Sequence, residues 1–298
     1  MEERILILGA GGMLGHLLFR SLSERMPGDV FGSIRNLNGL PLSWRKKFGD
    51  CIHQGVDADN FDSIIRIMGV VRPTIVINCV GIIKQLPSVE DSITSITINA
   101  LFPHRLAQLC KASSSRLIHI STDCIFDGIK GAYTEGDISN ATDLYGRTKY
   151  LGELHYGHSL TLRTSIIGHE LRTNVSLVDW FLSQTNPVNG YTKAIYSGFP
   201  TVEFVRILEK YVIPDDRLSG LYQVSSEPIS KYDLLNAVAG EYGKQIQIKP
   251  YDDFVLDRSL DSSRFRNITG YSPPSWQELV AAMHQDYIEN KDDYHATV

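Results

Sequence analysis

Three side chains in the middle of the chain have the types and spacing to move a proton. Thr122 lies in Ser121-Thr122-Asp123, and Tyr145 and Lys149 lie four apart in Tyr145-Gly146-Arg147-Thr148-Lys149. Residues i and i+4 share a helix face, so the phenol and the ammonium can address one spot. A free phenol titrates at about 10, which makes it a poor base but a usable acid at neutral pH. A neighbouring ammonium favours the phenolate. Lowering the phenol by about three units takes roughly 4 kcal/mol of preferential stabilisation. With Thr122 bonding the same oxygen, the trio could protonate a ketone oxygen while a hydride reaches the carbon.

The spacing alone carries little weight, because Tyr287 and Lys291 repeat it in a polar tail segment with no Ser-Thr strand end before it. Context separates the two pairs. Leu117-Ile118-His119-Ile120 is a short apolar run that reads as a buried strand ending at Ser121-Thr122, and Tyr150-Leu151-Gly152-Glu153-Leu154 continues a helical pattern after Lys149.

Those elements need a sheet to stand on, and the first residues supply its start. Arg4-Ile5-Leu6-Ile7-Leu8 reads as a strand, Gly9-Ala10-Gly11-Gly12-Met13-Leu14-Gly15 as a glycine loop, and Leu14 to Leu22 as a helix. Strand, glycine loop and helix in that order are the setting of a dinucleotide fingerprint. The glycines admit a pyrophosphate, and the N–H groups at Met13 and Leu14 open a positive helix end. The other reading is a plain glycine-rich turn. Asp29 to Ile34 reads as the second strand. The residue about 20 beyond the last glycine, expected at the adenosine ribose, is Arg35 rather than an acid. An arginine there suits a 2′-phosphate and favours NADPH over NADH. Otherwise it is an exposed member of the loop that carries Arg45, Lys46 and Lys47.

Asp57-Ala58 closes a weak third strand near Ile52, where Asp57 could meet the adenine amine. Asp59 or Asn60 reads equally well as the cap of the next helix. Thr74 to Gly81 is a strongly apolar strand, which puts Asn78, Val80 and Gly81 at the carboxyl edge where ligands of such sheets bind. Lys84, in the loop beyond, is either a substrate contact or a solvated lysine. One long helix is expected from Ser92 to Lys111, with Asn99 bonding nearby backbone or facing solvent, and Leu160 to Ser165 is a further strand. This alternation predicts an α/β fold, a Rossmann-type doubly wound parallel sheet. Beyond Ile166 the rhythm breaks. The expected pieces are a helix around Val178 to Leu182, turns at Asn186-Pro187 and Asn189-Gly190, and a helix over Val202 to Tyr211. A strand at Leu221 to Val224, a helix capped by Ser230, a loop after Ile248 and a last helix from Ser275 complete them. The expected division is a dinucleotide-binding domain over residues 1–165 with 201–227. A smaller α/β substrate-binding lobe takes residues 166–200 and 228–298.

Composition narrows the class. With 43% hydrophobic and 21% charged residues the chain can bury a good core, and a net charge of −5 with no basic block argues against nucleic acid or a membrane surface. Cys51, Cys79, Cys110 and Cys124 are scattered, with no metal-ligand cluster, which suits buried thiols in a reducing cytoplasm. The chain enters a strand at once, leaving no room for a signal peptide, and no apolar run approaches the ~20 residues of a membrane helix.

Taken with Phe126-Asp127-Gly128, Leu162-Arg163-Thr164-Ser165 and the Gly198 to Thr201 loop, these motifs resemble the extended short-chain dehydrogenases/reductases, most closely the dTDP-4-dehydrorhamnose reductase group, over almost the whole chain. The resemblance implies a dissociable NADPH and reduction of a 4-keto group on a nucleotide-activated deoxy sugar, in surface polysaccharide precursor synthesis. It places Thr122, Tyr145 and Lys149 on the catalytic positions, with Lys149 also holding the nicotinamide ribose. Asp123 falls on the substrate side with Thr122 and Tyr145. Ile166 stands where the family often has a tryptophan on the sugar, and Cys124 stands where it has a tyrosine, so the sugar stays open. An NAD-dependent nucleotide-sugar 4-epimerase and a non-catalytic regulatory subunit are the competing readings. A homodimer is compatible with all three.

Overall fold

A computed structural model describes residues 3–37, 40–83, 91–172 and 175–294. In chain order it contains β1 (Ile5–Leu8), α1 (Met13–Arg25), β2 (Val30–Ser33), α2 (Leu42–Phe48), β3 (Ile52–His53), α3 (Phe61–Val71) and β4 (Ile75–Asn78). Then come α4 (Ser92–Ser95), α5 (Phe102–Ala112), β5 (Arg116–Thr122), α6 (Leu144–Leu151), β6 (Ser159–Thr164), β7 (Ile166–Ile167) and α7 (Leu177–Ser183). The rest is β8 (Val188–Tyr196), β9 (Phe199–Pro200), α8 (Thr201–Ile207), β10 (Gly220–Gln223), β11 (Ile229–Ser230), α9 (Lys231–Glu241), β12 (Ile248–Asp257), α10 (Ser263–Thr269) and α11 (Trp276–Glu289).

Seven strands form one sheet in the order β10-β6-β5-β4-β1-β2-β3, every neighbouring pair parallel. The doubly wound Rossmann-type sheet expected from the β-α alternation is therefore present. The central strands β1 and β4 read as apolar runs because both faces are covered. Ile5 and Ile7 point into the layer built from α1, α8 and α11, while Leu6 and Leu8 point into the layer of α3 and α5. Strand order reverses beside β1, so a crevice opens between the carboxyl ends of β1 and β4. A second, three-stranded sheet has the order β11-β8-β12, and β7 pairs with β9.

Several local expectations change. The third strand ends at His53, and Asp57 lies in the turn beyond it. There the backbone N–H of Asp59 donates to Asp57 Oδ1, and Asn60, at the cap position of α3, makes no side-chain cap bond. The helix expected from Ser92 to Lys111 is present as one continuous run, α4, a π-helical stretch at Ile96–Leu101 and α5, with right-handed helical backbone at both junctions. Asn99, within the π stretch, has its side chain drawn inward (below). Asn189-Gly190, read as a turn, lies inside β8. A Cβ on Gly190 would stand 2.6 Å from the Tyr232 ring, so this glycine serves the close packing of α9 on the strand. The loop expected after Ile248 is the ten-residue strand β12, an edge strand mostly open to solvent. With little burial it shows no two-residue alternation.

Candidate active site

The glycine loop is shaped by contacts a side chain would destroy. Gly9 sits at φ +84°, and a Cβ on Gly15 would lie 2.1 Å from the Gly9 carbonyl oxygen. Gly11 and Gly12 are exposed, and α1 begins at Met13 with no side-chain cap. Its first N–H groups, at Met13, Leu14 and Gly15, therefore have no side chain to satisfy them. His16 Nδ1 donates to the Gly12 carbonyl at 3.0 Å from inside the core, where burial holds the imidazole neutral and pushes its pKa down to about 4. Arg35 is exposed at the exit of β2; its carbonyl accepts from Gly55 N at 3.0 Å, and its guanidinium has no hydrogen-bond or ion-pair partner among the described residues. Asp57 is half-buried one strand further out.

At the end of β4, Asn78 is 1% exposed. Its amide reaches His119 Nδ1 at 3.1 Å and its oxygen accepts from the backbone of Val80 at 3.0 Å. Asn78 thus braces the strand end, while Val80 packs partly on the core and Gly81 beyond it is exposed. Lys84 lies outside the described residues. Asn99 is also 1% exposed: its Oδ1 accepts from Ile82 N at 2.9 Å and its Nδ2 donates to Ile82 O and Thr148 Oγ1. One side chain thus ties the β4 loop to the π-turn and to α6. Gly152 lets α6 sit on this turn, since a Cβ there would be 1.9 Å from the Asn99 carbonyl oxygen.

Strand β5 carries Thr122 to the sheet's carboxyl edge. Asp143 caps α6, its carboxylate accepting from Gly146 N at 2.8 Å, so Tyr145 and Lys149 project from the first two turns. Gly146 permits the approach, because a Cβ there would meet the Cys124 carbonyl at 2.3 Å. The Tyr145 phenol faces the Thr122 hydroxyl, which donates to Asp123 Oδ1 at 3.2 Å and accepts from Cys124 N at 3.2 Å. Lys149 is 6% exposed and its Nζ donates to the Ile120 carbonyl at 2.9 Å. A Cβ on Gly81 would stand 3.4 Å from Asn99 Oδ1 and 3.8 Å from Lys149 Nζ, so these three share one corner of the crevice.

The electrostatics differ from the expectation drawn from sequence. The phenol is raised, not lowered: burial is the main cause, the neighbouring Cys124 and Asp123 add to it, and the Thr122 bond only partly offsets it. Lys149 is itself pushed down to about 8 by burial, against the pull of Glu153 and Cys79. Its ammonium points at a backbone carbonyl rather than at the phenol. Tyr145 is therefore a firmly protonated acid at neutral pH. Beneath it, Glu153 and Arg163 form a buried ion pair at 2.7 Å, and Ser121 Oγ donates to Glu153 at 2.7 Å.

The other decoration comes from later in the chain. Asp123 is buried, and burial raises its carboxyl against the opposing fields of Arg258 and Lys231. Arg258 Nε donates to the Phe126 carbonyl at 2.7 Å, and its Nη1 lies 3.6 Å from Cys124 Sγ. Ile166 is half-buried and pairs with Phe199. Lys231 and Arg258 are functional candidates that sequence reasoning missed. Lys231 was hidden behind the helix cap Ser230, and Arg258 fell in the stretch read as a loop. Tyr287 of the decoy pair instead packs on His169, ring centroids 4.3 Å apart. Among the described residues no group of three or more His, Cys, Asp or Glu could hold a metal ion, and no helix is long and apolar enough to cross a membrane.

The chain is similar to proteins of known name. The dTDP-4-dehydrorhamnose reductase of Aggregatibacter actinomycetemcomitans is 25% identical, over 93% of this chain and 97% of that protein. The methionine adenosyltransferase 2 subunit beta of Danio rerio is 27% identical, over 80% of this chain and 74% of its own. A crystal structure of the Bacillus anthracis dTDP-4-dehydrorhamnose reductase in complex with NADP superposes with a TM-score of 0.78 at 21% identity, covering 96% of this chain and all (100%) of that one. The profile of the family described as RmlD substrate binding domain matches residues 3–289. The chain therefore belongs to the RmlD substrate-binding-domain family, within the extended short-chain dehydrogenases/reductases.

Proposed function

We propose that this protein is an NADPH-dependent reductase of the 4-keto group of a nucleotide-activated deoxy sugar, acting in the supply of surface polysaccharide precursors. One observation carries the reading: the protonated Tyr145 phenol faces the Thr122 hydroxyl, one helical turn from Lys149, at the carboxyl edge of a sheet whose crevice begins with an uncapped glycine loop.

The crevice fits a dinucleotide. A side chain on Gly15 would collide with the loop backbone, and the free N–H groups at the start of α1 suit a pyrophosphate. Gly9, Gly11, Gly12, Met13, Leu14 and Gly15 would line the pyrophosphate, Arg35 and Asp57 the adenosine end, and Val80, Gly81 and Lys149 the nicotinamide ribose, with Asn78 bracing that strand. NADPH, when bound, supplies the hydride. Thr122 orients the substrate carbonyl, and Tyr145 donates its proton to the carbonyl oxygen. Lys149 holds positive charge beside the developing oxyanion. Asp123, Ile166, Lys231 and Arg258 shape the sugar pocket. In this reading residues 1–165 with 201–227 bind the cofactor and the remainder binds the sugar nucleotide, in a soluble cytoplasmic enzyme.

The test is direct. Purified protein mixed with NADPH and dTDP-linked 4-keto-6-deoxy sugars should consume NADPH in step with the sugar. Conversion of a 4-hydroxy epimer with no net NADPH loss would favour the epimerase. The likeness to methionine adenosyltransferase 2 subunit beta supports one further reading, a binding subunit of the same fold. That reading predicts retention of NADPH with no turnover of any keto sugar.

A further inference from the structure

Three charges stand behind the corner of the crevice where Lys149 lies. The side chains of Arg163, on β6, and Glu153, just past the end of α6, are 2% and 0% exposed. Arg163 Nε donates to Glu153 Oε1 at 2.8 Å and Nη2 to Oε2 at 2.7 Å, a two-pronged fork. Ser121 Oγ donates to the same Oε1 at 2.7 Å. Ser121 and Arg163 are register partners on β5 and β6, so their side chains leave one face of the sheet together. A carboxylate this deep keeps its charge only when paired and hydrogen-bonded, and Glu153 has both the ion pair and the hydroxyl.

The third charge is Lys149. The Glu153 N–H donates to the Tyr150 carbonyl at 3.1 Å, so the last helical turn runs on past Leu151. Glu153 thereby falls on the helix face of Lys149, four residues earlier. The neighbouring strand gives a second measure of their nearness. Lys149 Nζ donates to the carbonyl of Ile120, and Glu153 accepts from the hydroxyl of Ser121, the next residue of β5. Amine and carboxylate are thus fastened to the two residues of one peptide link. The other titratable groups around the amine carry no charge at neutral pH. Burial pushes the Cys79 thiol up to about 12, burial holds the His119 imidazole neutral, and Tyr145 keeps its proton. Among the described residues, Glu153 is the carboxylate that draws on the amine. Apolar side chains of similar volume would hold α6 to β6 without desolvating two charges. What the ion pair adds to such a clamp is a fixed negative charge.

We propose that Glu153, held by Arg163 and Ser121, is a positioning residue: it is the counter-ion that keeps Lys149 an ammonium at the corner shared with Gly81 and Asn99. Its use in turnover rests on the reductase reading above, in which Lys149 is charged beside the developing oxyanion. Without the counter-ion, Lys149 stays in place and sheds its proton at a lower pH.

The test follows the Lys149 amine by NMR in protein carrying carbon-13 at lysine Cε, its resonance assigned by its loss in Lys149→Met. The wild-type midpoint should lie at about 8. Glu153→Gln should lower it by roughly one unit. That variant strands the Arg163 charge, so Glu153→Gln with Arg163→Met is measured beside it. The double variant removes both charges of the buried pair, a replacement such sites tolerate, and should lower the midpoint in the same direction. Ser121→Ala keeps both charges and should move it least. Turnover gives a second readout: the loss in kcat should be larger at about pH 8 than at about pH 6, where the amine is charged in every variant. A clamp without electrostatic effect would lower both alike. An unmoved midpoint in the double variant, whatever its stability, overturns the proposal. If wild-type protein consumes no NADPH with any keto sugar, the reductase reading falls, and the midpoint still decides whether Glu153 is the counter-ion.

Discussion

Tyr145 shows how one contact decides a residue's chemistry. A tyrosine four residues before a lysine invites the idea of a phenolate primed by an ammonium. In the folded chain the ammonium is spent on the Ile120 carbonyl and the phenol on Thr122. Burial keeps the phenol protonated, against the Thr122 contact that favours the phenolate, and that is the state a carbonyl reduction needs. Tyr145→Phe should lower turnover by about two to four orders of magnitude, the range of a general acid, with NADPH affinity kept. Turnover near that of the wild type would remove Tyr145 from the mechanism. Lys149 makes a separate prediction. Its folded pKa of about 8 lies below its ordinary 10.5, so between those values the unfolded chain holds a proton that the folded chain has released. Stability then rises with pH across that window, by up to roughly 3 kcal/mol, and is lost again as pH falls through 8. Urea denaturation at several pH values should show this rise in wild-type protein and lose it in Lys149→Met. An identical pH profile in the two proteins would count against a buried, depressed lysine.

At the scale of elements, the segment from Ser92 to Ala112 is the instructive one. Its sequence supports an unbroken helix, and the chain keeps one, with a π stretch within which Asn99 satisfies both backbone groups of Ile82. A local irregularity of this kind is tolerated where a site requires it. Asn99→Ala would leave the buried Ile82 N–H without a partner, at a cost of about 1–3 kcal/mol. It would also loosen the corner that Gly81 and Lys149 share. Chemical denaturation should register the loss, and NADPH affinity should fall with it. An Asn99→Ala protein of unchanged stability would mean that solvent replaces the bond. The glycines teach the same lesson from the other side. Gly15, Gly146 and Gly152 each sit where a Cβ would strike backbone, and each lets one element of the site approach another.

For the whole molecule, one apolar core joins β1 and α1 to α7, α8, α9 and α11. Arg258 adds a polar tie, crossing from the end of β12 to the turn after β5. Elements that share a core melt together. Thermal unfolding should thus give a single transition, and NADPH at about a hundred times its dissociation constant should stabilise the protein by about 2.7 kcal/mol. Two resolved transitions, with only one shifted by NADPH, would show that the parts fold independently.

The amino-acid sequence by itself determined the doubly wound sheet, the glycine loop and the Thr122, Tyr145 and Lys149 trio. Each of these rests on local signals: short apolar runs, glycine spacing, and the i to i+4 geometry of a helix. Tertiary structure alone decided the direction of the Tyr145 and Lys149 shifts, because burial depends on what the fold packs over a side chain. It alone drew Asn99 into a π-turn and placed Gly190 inside a strand, since those outcomes are set by partners tens of residues away. It also brought Arg258 and Lys231 toward Asp123. No spacing rule could anticipate them, because their positions are fixed by chain crossings and not by their neighbours in sequence.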